Sequence, residues 1–224
     1  MLNLPKPGIY FVELPFSQAS VQLGQLGVPR LTPDYPAIDM FNEVFGTSGF
    51  GSRLMQRVRT ELGLTYGVYG GIAPAVVKGV NYVFLQTKAE SVAPAIEESI
   101  GVLTKLQSAP PTSEEMEEKK TAVQNSFVLN FDSVDEIAVR NARLKLLEYP
   151  TDYDQTYLSK INAVSPEAVM EVAQRRWDSK SLVVVVVGNK AAYEALEKAL
   201  KDGNSHLGAF GLTKLRFESA IVMQ

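Results

Sequence analysis

Residues 52–71 read SRLMQRVRTELGLTYGVYGG, with three arginines and two tyrosines in one short stretch. A guanidinium offers five donors and no acceptor, so Arg59 suits peptide carbonyls or carboxylates. A phenol such as Tyr66 can donate to an oxygen on which negative charge develops. On a wheel of about 100° per residue, a helix over 52–62 gathers Leu54, Met55, Val58 and Leu62 into one apolar stripe. Arg53 and Arg57 fall well away from that stripe. Arg59 lies at its edge, where its stem can follow the protein while its head crosses a boundary. Gly63 is placed as a left-handed C-terminal cap. The turn there folds the chain back beside the helix, so Arg59 and Tyr66 are expected to face one cleft. The ordinary reading stands beside this one: arginines on short helices are mostly solvated, and a tyrosine at a strand start is commonly half-buried packing.

The groups that would cut a substrate are missing from the sequence. There is no cysteine and one histidine, His206, in the loop DGNSHLGAF. A catalytic zinc usually has three protein ligands, histidines prominent among them, and nucleophilic serine or cysteine sites need a base. One histidine in a Gly/Asn/Ser loop, expected to be solvated, serves neither, so no catalytic and no metal-binding residue is assigned to this chain. The 224 residues carry 46% hydrophobic and 21% charged residues and a net charge of −3. That balance is ordinary for a soluble globular protein and gives no broad basic footprint for nucleic acid. No apolar run approaches the length of a membrane span, and the first residues lack a signal-peptide pattern. A soluble protein of cytoplasm or periplasm is expected, the two being indistinguishable at this level.

The elements that must position these residues follow from periodicity. GIYFVEL (8–14) and ASVQLGQLGV (19–28) read as strands, the latter with at least one buried face. Ile38, Met40, Phe41, Val44 and Phe45 mark an amphipathic helix over 36–45, interrupted by GTSGFG. After the arginine helix come strands over 65–73 and 79–89, joined by a hairpin connection. The glycines of the first strand thin one face, as where another backbone or a ligand approaches closely. Helices are expected over 91–108, from Thr112 (a capping box with Glu115), over 134–148 with Ile137, Leu144 and Leu147 buried, through DYDQTYLSKINAV, from Ser165 with Pro166 at its first position, and over KAAYEALEKALKDG, ending at Gly203. SLVVVVVGN (181–189) is a β-branched run apolar on both faces and therefore a central strand. LRFESAIVM can add an edge strand. This order gives an α+β fold, a mostly antiparallel sheet with helices packed on it, and a single domain over 1–224.

Other charge clusters read as structure. SEEMEEKK (113–120) is a solvated acidic helix start favoured by the helix dipole. FDSVDE carries an N-cap at Ser133 or Asp132, and Trp177 in RRW is a core or interface residue, no basic patch surrounding it.

SRLMQRVRTELGLTYGVYGG resembles the signature of the second-type domain of pitrilysin/insulinase-family zinc metallopeptidases, which include the mitochondrial processing peptidases. Those domains carry an arginine and a tyrosine around a short spacer, after a Gly-rich break and a Ser-Arg-Leu helix. Arg59 and Tyr66 match, with TELGLT between them, and GFGSRL matches the approach. LTPDYPAIDMFNEVFG is similar to the family's preceding helix. TSGFG departs from the more usual Leu-Gly-Gly break. The likeness covers residues 8–200 and is specific over 47–71.

The resemblance implies a LuxS- or processing-peptidase-like half-chamber domain, inactive by itself. Zinc would be bound by a homologous His-x-x-Glu-His domain, on the same chain or a separate subunit, and not by this chain. Arg59 and Tyr66 would hold the peptide near the scissile bond. Three readings follow: a substrate-binding, non-catalytic part of a zinc metalloendopeptidase, active as a pair with its zinc-bearing partner; a proteolytically inactive structural or assembly subunit of the same fold; or an unrelated α+β binding module.

Overall fold

The computed structural model describes residues 5–202 and 205–218. Six strands form one sheet in the order β3-β4-β2-β5-β1-β6. They are β1 (Gly8–Glu13), β2 (Gln18–Leu26), β3 (Thr65–Ala73), β4 (Val80–Lys88), β5 (Val183–Gly188) and β6 (Leu215–Glu218). The pairings β3–β4, β4–β2 and β2–β5 are antiparallel, and β1 runs parallel to both β5 and β6. The sheet is thus antiparallel over three of its five seams. The late strand β5 enters between β2 and β1, as its valine run requires, and β6 is the expected edge. The rest of the tail, and Gly203 at the expected end of the last helix, lie outside the described residues.

The helices are α1 (Tyr35–Asn42), α2 (Val92–Ser108), α3 (Ser113–Val128), α4 (Val134–Leu146), α5 (Tyr153–Asn162), α6 (Pro166–Arg176) and α7 (Lys190–Lys201). Side-chain caps start several of them where the sequence places them. Thr112, Ser133 and Ser165 accept hydrogen bonds from the backbone N–H groups of Glu115, Glu136 and Ala168, satisfying donors that a helix start leaves unpaired. Ala19, Val21 and Leu23 of β2, Val83 and Leu85 of β4, and Val184 and Val186 of β5 are buried against the helices together with Phe41, Phe45, Ile96 and Trp177. Phe45 stacks on Phe41 and meets the Trp177 ring edge-on, at centroid distances of 5.1 and 5.8 Å.

The opposite face of the sheet is uncovered. β5 is central, as its apolar run implies, yet Val185 on it is 38% exposed. A central strand needs two paired neighbours, but this sheet carries its helices on one face only. α4 is a correction. It has no buried residue, and Ile137 is 39% exposed while Leu144 and Leu147 are half-buried.

The winding around the glycine break is wider than an α-helix. Residues Glu43–Thr47 and Met55–Glu61 form π-helical turns on either side of it. Leu62 therefore donates to the Arg57 carbonyl, five residues back, at 3.3 Å. The altered angular step puts Leu62 outside the stripe, 38% exposed, while Leu54, Met55 and Val58 stay buried. Gly63 has φ +62°, the left-handed cap expected of it.

The glycines of β3 receive another backbone. A methyl group on Gly46 would lie 2.5 Å from the Gly70 carbonyl oxygen and 2.6 Å from its nitrogen. Beside this contact Asn42 donates to the Ile72 carbonyl at 2.9 Å and accepts from the Ile72 N–H at 2.7 Å, taking ladder groups that β4 does not use. Gly46→Ala should lower unfolding free energy by roughly 1–3 kcal/mol, the usual cost of overpacking. Gly101→Ala, in α2 where an added methyl meets nothing within 4 Å, should raise it by about 0.5–1 kcal/mol. Urea denaturation of both variants checks the pair of signs.

Candidate functional site

The three arginines of the wide turn have different partners. Arg53 donates from Nε and Nη2 to the two carboxylate oxygens of Glu115 at 2.9 and 2.7 Å. Arg57 donates to Glu98 at 2.7 Å and Glu61 at 2.9 Å, and those hydrogen bonds hold its guanidinium still more firmly protonated. Arg59 makes no side-chain hydrogen bond and no ion pair among the described residues. Its guanidinium carbon lies 4.4 Å from the centroid of the Phe50 ring, which is 61% exposed. A cation over a ring face gains the ring's quadrupole attraction and keeps its in-plane donors directed outward.

Tyr66 stands at the start of β3, where the ladder with β4 slips between Thr65 and Gly67. Such a bulge places an unpaired residue and re-aims its side chain. Thr65 is buried and donates to the Gln86 carbonyl at 2.5 Å, while Tyr66 is 74% exposed and its hydroxyl has no partner among the described residues. The backbone brings the two segments together: Leu64 N–H donates to the Val58 carbonyl at 2.9 Å, and Gly63 N–H to the Arg59 carbonyl at 3.0 Å. No hydrogen bond joins the side chains of Arg59 and Tyr66. Phe50 was not singled out in the sequence, although an aromatic residue alone among glycines was the signal for it. Nothing in the sequence marked Asn42.

The uncovered sheet face adjoins Tyr66 along β3. One register row across it runs Tyr69, Phe84, Gln22, Val185, Tyr10 and Arg216. The next runs Gly71, Tyr82, Gly24, Val183 and Gly8. Gly71 and Gly8 are covered by Asn42 and Arg216, and a hollow of about 530 Å³ opens between them against Gln22, Gly24, Tyr82, Val183 and Val185. Neither Arg59 nor Tyr66 lines it.

No group of three or more His, Cys, Asp or Glu side chains among the described residues could hold a metal ion. The donor set of the described residues therefore does not fit a resident zinc. His206 is exposed, and its backbone N–H donates to Glu97 at 2.9 Å.

A family model described as the peptidase M16 inactive domain matches residues 3–123, more than half of the chain. The chain belongs to the peptidase M16 inactive-domain family. Among solved structures, the M16 inactive domain from Pseudomonas fluorescens is 31% identical, with a TM-score of 0.77 over 83% of this chain and 44% of that one. The periplasmic protease PqqL of Escherichia coli shares the fold at 16% identity and TM-score 0.66, over 83% of this chain and 21% of that one. Of the curated relatives, the non-peptidase homolog YmxG of Helicobacter pylori is 24% identical over 63% of this chain, and the uncharacterized zinc protease YmxG of Bacillus subtilis is 29% identical over 61%. The match spans about one third of the length of each, 33% in both cases. No helix of the described residues is long and apolar enough to cross a membrane.

One carboxylate near the glycine break titrates unusually. Asp39 on α1 accepts from the Tyr157 hydroxyl of α5 at 3.1 Å. Burial pushes its pKa from 3.8 up to about 6, and the Glu43 charge adds to this against the Tyr157 hydrogen bond. The folded state holds this proton more tightly than the unfolded chain does. Its contribution to stability is complete below about pH 4 and is lost as pH rises through 6. Asp39→Asn keeps an acceptor for Tyr157 and should flatten that part of the stability–pH curve, raising stability at pH 7 by roughly 1–3 kcal/mol. Thermal melts of both proteins from pH 4 to 8 check this.

Proposed function

We propose that this M16 domain is the substrate-binding, non-catalytic part of a zinc metalloendopeptidase, working with a homologous His-x-x-Glu-His-bearing domain on the same or another polypeptide. The observation that carries the reading is the division among the arginines. Two are tied by carboxylates into the fold, and Arg59 alone of the three keeps its donors free, on the turn that leads into an exposed, unpartnered Tyr66. In this reading Arg59 binds a backbone carbonyl of an extended peptide, and Tyr66 donates to the substrate oxygen that gains negative charge during attack on the peptide bond. The zinc belongs to the partner, and the uncovered sheet face forms this domain's wall of the shared chamber.

A second reading has specific support. One curated relative is named a non-peptidase homolog, and complex III of Candida albicans contains a chain of this fold, at 13% identity and TM-score 0.68. In that reading the chain is a proteolytically inactive assembly subunit.

The purified chain should hydrolyse no peptide, with or without added zinc. Reconstituted with a zinc-bearing partner domain, Arg59→Ala or Tyr66→Phe should lower kcat/KM by about 10²–10³-fold, the scale of losing one oxyanion donor, while Arg53→Ala acts through stability. Hydrolysis by the chain alone refutes the non-catalytic assignment. Turnover unchanged in both variants removes the role of the pair, and a partnered complex with no peptidase activity favours the assembly subunit.

A further inference from the structure

α4 carries two apolar stripes. One holds Ile137 and Leu144, with Leu147 just past the helix end, and Leu144 faces the hollow it shares with Phe127 and Tyr153, while the helix packs on residues 129–131. The other faces outward and consists of Ala138, Val139, Ala142 and Leu146, all exposed, Val139 by 68% and Leu146 by 80%. A helix of 13 residues is marginal in isolation and draws most of its stability from packing. Here the better half of that packing is missing. Hollows flank the helix on both sides. One of about 210 Å³ lies against Phe127, Leu144 and Tyr153, and one of about 410 Å³ against Leu129 and Val139.

The charges on this helix select its occupant. Asp135 and Glu136 lie in the first turn and Arg143 and Lys145 in the last. None of the four forms an ion pair among the described residues. Two copies of α4 laid antiparallel bring each acidic end onto the other's basic end and oppose the helix dipoles favourably. The axis then falls between Val139 and Ala142, where Ala138 and Ala142 leave little side chain between the backbones. Such a surface is self-complementary, which is what a two-fold interface requires. We infer that the outward stripe of α4 is an isologous contact between two copies of this chain. It is separate from Arg59, Tyr66 and the open sheet face, and holds whether or not the chain serves a peptidase.

A single pair of helices gives a small interface, so the association is weak and concentration-dependent. In sedimentation the weight-average mass should rise from 24.6 kDa toward twice that as the protein passes through the micromolar range. The chain contains no cysteine, so Ala142→Cys, close to the axis, should form a covalent dimer when an added disulfide such as oxidised glutathione takes up the two electrons, whereas Gln107→Cys should not. Asp135→Lys with Glu136→Lys, and separately Arg143→Glu with Lys145→Glu, should each be monomeric, with native helix content by circular dichroism. Mixing the two variants should restore a dimer, because each end then meets its opposite. A wild-type chain that stays monomeric overturns the inference. So does a dimer that both charge variants retain, or a mixture that fails to pair.

Discussion

The contact between Gly46 and Gly70 sets the position of everything that projects from the glycine break. Two backbones meet without a side chain between them, one at the end of a π-helical turn and the other in the outermost long strand of the sheet. Asn42 fastens the same seam by giving Ile72 both a donor and an acceptor. An edge strand with free ladder groups invites pairing with other chains. Here Asn42, at the end of the helix that precedes the break, takes one donor and one acceptor of that edge, and the contact fixes the path of the chain into Phe50, Arg59 and finally Tyr66. A side chain at residue 46 or 70 would force the turn away from the sheet and carry the ring and guanidinium with it.

What the turn then displays depends on where the acidic residues fall. Arg53 and Arg57 could as easily bind an acidic or carbonyl ligand as Arg59, since all three carry the same fork of donors. Glu115 on α3 and Glu98 on α2 remove the first two from that role and use them to hold the turn against the helical layer. Arg59 has an aromatic surface beneath it instead of a carboxylate. A ring attracts the cation without saturating its hydrogen bonds, so the guanidinium is oriented yet remains available. The two ion pairs and the one ring together leave one guanidinium of the three with its donors unpaired, in a domain whose described residues hold no group of metal-ligating side chains.

Much of this was legible in the sequence, for reasons that are local. The left-handed turn at Gly63, the caps at Thr112, Ser133 and Ser165, and the central place of the valine run each depend on a few neighbouring residues and one physical rule. The wide winding was not legible, because 100° per residue is assumed before any wheel is drawn; that assumption placed Leu62 inside when it lies at the surface. The partners of the arginines were not legible either. Glu98 and Glu115 stand 41 and 62 residues along the chain from Arg57 and Arg53, and no periodicity links them. The sheet's open face was not legible from the valine run for a related reason: hydrophobicity shows that a strand sits between neighbours, but not whether helices cover both of its faces.

That open face and the outward stripe of α4 differ in kind. Exposed apolar residues scattered singly need no explanation, but Tyr69, Phe84 and Val185 share one register row, with Gln22 between the last two, beside a hollow, and such a grouping marks a candidate contact surface. Its floor is sheet ladder, and the hollow on it mixes Tyr82, Val183 and Val185 with Gln22, Gln25 and Asp178, so a chain crossing it would meet apolar and polar side chains together. The α4 stripe is a narrow ridge of small and branched side chains with charge at both ends. A ridge is completed by a matching ridge, and a hollow by something extended. The two surfaces therefore call for different occupants, and filling one leaves the other open.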